Sequence, residues 1–242
     1  MARWGTDMTI VSAEEHKTVR GFFRAVNSKS WQNMESVVSL LGEISRGQYV
    51  YIGPADAAVK EDATLLLAKF TYNRGEWKDA ANLFLSCAAM SSRPAAAAEA
   101  LVWAARSFLS DGDYKGAIDT STRMVTKFPD SPSRTDALLV QGEALLEQAR
   151  YGEASLVLDR VAKAESARPV DRARARLLRA DALFALGADN PASYGTALEA
   201  YRAIAFDGAL DASGRLAVAF RIGRTLEKLR RYDEAVEQYY AQ

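Results

Sequence analysis

The residues able to do covalent or acid–base chemistry are few and scattered. The chain has one cysteine, Cys87, and one histidine, His16. A zinc site draws several ligands from those two types and a nucleophile needs a base beside it, so neither can be assembled from them. No disulfide can form within the chain, and Cys87 stands in an apolar column that suits a small buried hydrophobe better than a reactive thiol. Adjacent carboxylates occur at Glu14 and Glu15 and at Glu61 and Asp62, where solvation on a helix surface explains them better than a general acid and base. The run Asp111, Gly112, Asp113 opens like a calcium loop but lacks the later ligands. There is no glycine-rich phosphate loop, HExxH, CxxC or G-x-S-x-G elbow. The sequence therefore predicts no catalytic residue, no metal and no cofactor: not an enzyme.

The densest charge is a run of arginines. Arg168, Arg172, Arg176 and Arg179 fall at helical offsets with Arg174 beside them, and such a stripe (168–179) could hold RNA, phosphate or an anionic surface. Glu165, Asp171 and Asp181 are near enough for intrahelical pairing, and no aromatics interleave to stack bases. The chain carries 31 basic and 31 acidic side chains, so bulk charge attracts no polyelectrolyte. A nucleic-acid partner is disfavoured.

What positions the remaining polar residues is a repeat. An aromatic followed three residues later by alanine recurs as Trp77 with Ala80, Tyr114 with Ala117, Tyr151 with Ala154, Tyr194 with Ala197 and Tyr232 with Ala235, at spacings of 37, 37, 43 and 38. Fourteen residues before the aromatic stand Ala63, Ala100, Ala137 and Val218, and nine before it Ala68, Ala105, Gly142 and Gly223, with Ala175 and Ala180 displaced by a longer loop. Seven residues after it come Phe84, Leu158, Tyr201 and Tyr239, Ser121 being the exception, and three further on Cys87, Met124, Val161 and Ile204. Offsets of 3, 4 and 7 keep one helical face in register. Each unit thus reads as two helices, about 62–73 and 77–89, 99–110 and 114–127, 136–148 and 151–162 in the first three. Two antiparallel helices approach closely only where contact residues are small, so Ala105 and Ala117 are expected to meet, with the aromatic closing the mouth of the pair. Gly112 suits a left-handed helix end and Asp113 the next cap, and Gly75 is similar, whereas Ala149 and Arg230 stand where glycine is expected.

These columns, and segments such as GDYKGA (112–117) and RYDEAVEQYY (231–240), resemble tetratricopeptide repeats, over about residues 57–242. The resemblance implies an all-α fold, a right-handed α-solenoid of about five helix–turn–helix repeats, the units being about 55–94, 95–132, 133–169, 170–210 and 211–242. Two departures stand out: the closing proline is in place only as Pro129, with Pro94 and Pro169 shifted, and the fourth unit has an extra loop at 188–193. The run KFPDSP (127–132) is similar to bacterial envelope repeat proteins of the Tol–Pal coordinator and outer-membrane assembly lipoprotein type.

In that family the first helices line the concave face, which implies three inward columns. One is Leu65, Val102, Leu139, Leu177 and Phe220; the next is Lys69, Arg106, Glu143, Asp181 and Arg224; the third is Tyr72, Leu109, Leu146, Phe184 and Glu227. The expected surface is an apolar floor with one charge per repeat, ordered plus, plus, minus, minus, plus. It suits a protein or peptide partner held by apolar anchors, with charges setting its register. Repeat domains that clamp a terminal carboxylate carry lysine and asparagine at such columns, so that function is not expected. The alternatives are an architectural spacer with no ligand of its own and, more weakly, the arginine stripe as an anionic-surface or nucleic-acid binder.

Residues 1–54 are expected to form a tail, a degenerate capping helix pair at about 13–26 and 31–44, and a link at 45–54 with β-prone residues at 49–52. The chain stops at Gln242 midway through a second helix, which predicts continuation of the natural protein or self-association through that open end. No apolar run is long enough for a membrane span and no signal peptide is present. The expectation is a soluble chain of a larger bacterial assembly, in the cytoplasm or, with a leader removed, the periplasm.

Overall fold

The computed structural model describes residues 10–11, 50–51, 56–206 and 212–240; the expected capping helices at 13–26 and 31–44 lie outside them. Two short strands, β1 (Ile10–Val11) and β2 (Val50–Tyr51), pair in parallel, with Ile10 opposite Val50. Ten helices follow among the described residues: α1 (Asp56–Asn73), α2 (Trp77–Met90), α3 (Pro94–Asp111), α4 (Tyr114–Lys127), α5 (Arg134–Glu147), α6 (Tyr151–Lys163), α7 (Pro169–Leu186), α8 (Ala192–Phe206), α9 (Ala212–Lys228) and α10 (Tyr232–Tyr240). The chain divides into two compact units, Met1–Gly112 and Asp113–Gln242. In the first, α2 packs on α1 and α3 on α2. In the second, every helix from α4 to α10 packs on the next, and α5 also touches α7. This is the all-α repeat architecture that the sequence predicts.

First helices begin earlier than expected. Pro94 and Pro169, read as displaced closing prolines, are instead the opening residues of α3 and α7. A proline at the first helical position loses no hydrogen bond, and its fixed φ suits the helix start.

The small columns are buried throughout. Ala80, Ala117, Ala154, Ala197 and Ala235 on the second helices are inaccessible or nearly so, as are Ala63, Ala137, Ala175, Ala68, Ala105 and Ala180 on the first. The bulky column meets them from the partner helix. At Gly142 an added Cβ would lie 2.5 Å from Leu158 Cδ2, and at Gly223 it would lie 2.3 Å from Tyr239 Cε1. Glycine stands at these two points because the facing side chain occupies the Cβ position. The aromatic at the head of the second helix behaves less uniformly: Tyr194 is buried over Gly187, whereas Trp77 and Tyr232 are exposed.

Three of the turns inside units share one conformation, with or without glycine. Gly75 (φ 80°), Ala149 (φ 57°) and Arg230 (φ 61°) are all left-handed. Each carries the same pair of bonds, Gly75 N–H to Tyr72 O and Glu76 N–H to Thr71 O in the first, Ala149 to Leu146 and Arg150 to Leu145 in the third, Arg230 to Glu227 and Arg231 to Leu226 in the fifth. This Schellman arrangement satisfies the last carbonyls of the first helix. Packing of the helix pair imposes it on residues whose Cβ disfavours it. At α4 the next helix is capped as expected, by Asp113 Oδ1 accepting from Gly116 N–H at 2.9 Å. Where no such cap exists, Arg150 holds Glu153 and Arg231 holds Glu234 in paired hydrogen bonds across the same first turn.

Gly142→Ala is expected to cost about 1–3 kcal/mol by overpacking against Leu158, while Gly152→Ala, with open space around its Cβ site, gains up to about 1 kcal/mol. Denaturant titration of both variants checks the opposite signs. At the turns the signs also oppose: Gly75→Ala costs about 1–2 kcal/mol, and Ala149→Gly leaves stability unchanged or raises it by up to about 1 kcal/mol. A destabilised Ala149→Gly would show that the left-handed residue carries no strain.

Candidate functional site

The predicted inward columns separate by unit. In the first, Leu65 and Tyr72 of α1 are half-buried and Lys69 is exposed, while on α3 Val102 is buried and Arg106 and Leu109 are half-buried. Trp103, which belongs to none of the three columns, gathers aromatic and cationic neighbours around it. Its ring stands edge-on to Tyr72 at 5.5 Å and stacks on Phe84 at 5.9 Å, with the Arg106 guanidinium 5.2 Å above it. Cys87, on α2, is buried; burial first, and the Glu61 carboxylate second, push its thiol up to about 12. At neutral pH it stays a thiol and packs as a hydrophobe.

In the second unit Leu139 is buried, and Leu146 and Leu177 are half-buried against core clusters. The two acids of the charged column are both paired with arginines. Arg174, on α7, reaches back to Glu143 on α5 at 2.9 Å. Asp181, on α7, accepts from Arg221 Nε on α9 at 2.8 Å and from the Tyr201 hydroxyl on α8 at 2.6 Å. Burial, and then the bond to Asp181, push the Tyr201 phenol well above its usual range, so it remains a donor. The expectation of inward minus charges is thus revised: each acid ties its own first helix to the next.

Four of the predicted residues converge on one open pocket of about 400 Å³, lined by Asp181, Phe184, Phe220 and Arg224 together with Tyr201 and Arg221. Phe184 meets Tyr194 edge-on at 5.4 Å and carries the Arg224 guanidinium 5.6 Å from its centroid. Phe220 leans on Tyr239 at 5.9 Å, yet 56% of it is exposed. Tyr239 in turn donates to Glu227 at 3.1 Å. Tyr201 and Arg221 were missed because the sequence places Tyr201 in the helix-packing column, and nothing local marks a partner for Arg221 forty residues away.

The arginine stripe is largely spent on neighbours. Arg168 makes two bonds to Asp171, at 2.6 and 3.0 Å, Arg172 donates to the Glu165 carbonyl, and Arg179 lies 3.2 Å from Asp159. On α10, Tyr232, Val236 and Tyr240 are exposed. Among the described residues no cluster of metal-ligating side chains exists, and no helix is long and apolar enough to cross a membrane.

Tyr201→Phe is expected to cost about 0.5–1.5 kcal/mol in an Asp181 background and less once Asp181→Asn is present. Equal costs in the two backgrounds, measured by denaturation, would place the Tyr201 hydroxyl outside the Asp181 cluster.

Residues 65–132 match the tetratricopeptide repeat family model. Among curated proteins none matches the sequence. Solved structures do. The TPR-like repeats of a Podosopora anserina protein described as a kinesin light chain superpose with a TM-score of 0.59 at 18% identity, covering 82% of this chain and 93% of that one. MamA of RS-1 gives 0.60 at 19% identity, over 74% of this chain and 90% of that one. YrrB, a TPR protein with an unusual peptide-binding site, gives 0.55 at 16%, over 73% and 81%. At these identities the likeness is one of fold. The repeat columns, the shared turn, the matched segment and the similar structures agree on a fold of tetratricopeptide-like helix pairs, with residues 65–132 matching that family's model.

Proposed function

We propose that the chain is a non-catalytic protein-interaction module that holds a peptide or partner segment along its first helices, with the pocket between α7 and α9 as the anchor point. The observation that carries this reading is Phe220. A large aromatic left more than half exposed, beside a second aromatic and a guanidinium in a concave site, is the usual make-up of a binding pocket. The fold supports the same reading, since YrrB, similar in fold, has a peptide-binding site. Phe184 and Phe220 serve as apolar anchors and Arg224 as the polar contact. Val102 and Leu139, buried in the helix packing, serve the core rather than the ligand.

The test is selection of short random peptides on the full chain. Peptides carrying aromatic or large aliphatic residues are expected, and Phe184→Ala or Phe220→Ala should each weaken them about thirtyfold, the loss typical of a buried anchor. Arg172→Glu/Arg176→Glu should leave them unaffected. Loss confined to that last variant would move the function to the arginine stripe, and no selection above background would favour a spacer.

A further inference from the structure

Resting on that reading, we infer that the segment bound between α7 and α9 is acidic, presenting an Asp or Glu carboxylate beside its apolar anchor. In the sequence Asp181 and Arg224 hold the same column in adjacent repeats, one minus and one plus. In the structure Asp181 is already engaged by Arg221 Nε at 2.8 Å and by the Tyr201 hydroxyl at 2.6 Å. Arg221 is engaged in return, its Nη1 also donating to the Ala217 carbonyl at 3.3 Å. Those two charges cancel locally. Of the other acid in reach, Glu227 receives the Tyr239 hydroxyl at 3.1 Å and stands outside the pocket lining.

Arg224 is left as the surplus charge. It is exposed and lies over the face of Phe184, 5.6 Å from its centroid; among the described residues no carboxylate lies within ion-pair distance of it. A guanidinium lying over an aromatic ring keeps its planar edge of N–H donors free for a carboxylate, and the ring limits its motion and hydration. A carboxylate seated there makes paired charge-assisted bonds while the neighbouring apolar side chain enters between Phe184 and Phe220. A basic segment meets the surplus charge of Arg224 and is rejected by like charge.

The experiment reads the charge of what is selected. From random peptides, wild-type chain should enrich Asp and Glu over Lys and Arg, and a fluorescein-labelled selected acidic peptide should bind more weakly as salt rises. Arg224→Glu should lower its affinity by about tenfold or more and turn the selection toward basic peptides, and Arg224→Lys should retain part of the binding. Asp181→Asn, which releases Arg221, should strengthen the acidic peptide; circular dichroism at the assay temperature confirms that each variant is folded. If the selected peptides are basic or uncharged but still depend on Phe184 and Phe220, the acidic assignment falls and the pocket stands. If selection ignores Phe184 and Phe220, both fall.

Discussion

The structure depends on the close approach of two helices within each repeat. That approach is set where a first-helix residue with little or no side chain receives a bulky one from the second helix. Gly142 under Leu158 and Gly223 under Tyr239 are the sharpest cases, since no Cβ fits there. The alanines of the first and second helices fill the same role elsewhere. Such contacts are dispersion and burial at short range. They fix the separation of the pair, and the turn must then fit. Three turns adopt one left-handed geometry although only the first has glycine at the critical position.

Once the pairs are fixed, polar ties join one first helix to the next. Glu143 with Arg174 and Asp181 with Arg221 both bridge adjacent first helices. Arg221 and Asp181 are each about one-third exposed, so solvent screens the pair and it adds modestly to stability. Its larger effect is electrostatic. It removes a negative charge from the pocket and leaves Arg224 to set the sign.

The fold was legible because its signal is repeated. A column of alanines at constant offset can be read without knowing any contact, and Asp113 as a cap and Gly112 as a left-handed end follow from local rules. The prolines were misread because Pro94 and Pro169 suit the end of one unit or the start of the next, and only the helix start distinguishes them. The candidate site was half legible. Phe184, Phe220, Asp181 and Arg224 line up by offset in the inward columns, whereas Trp103, Tyr201 and Arg221 do not, because their contacts come from other helices, as with Tyr201 and Asp181 or Arg221 and Asp181. A charge column shows sign and position; it does not show which charges the protein has already used.

The two arginine ties occupy different places on their helices. Arg174 stands one residue before the small-column Ala175, and Arg221 stands three residues after the small-column Val218, one helical turn further along. The repeats are therefore not interchangeable, although their packing columns match. With α9–α10 set directly after α6, Glu143 would face Ala217 in place of Arg174, and its nearly buried carboxylate would lose that countercharge. Repeat order is thus written in the ion pairs: exchanging or deleting an internal unit would keep the architecture of each pair and break its address.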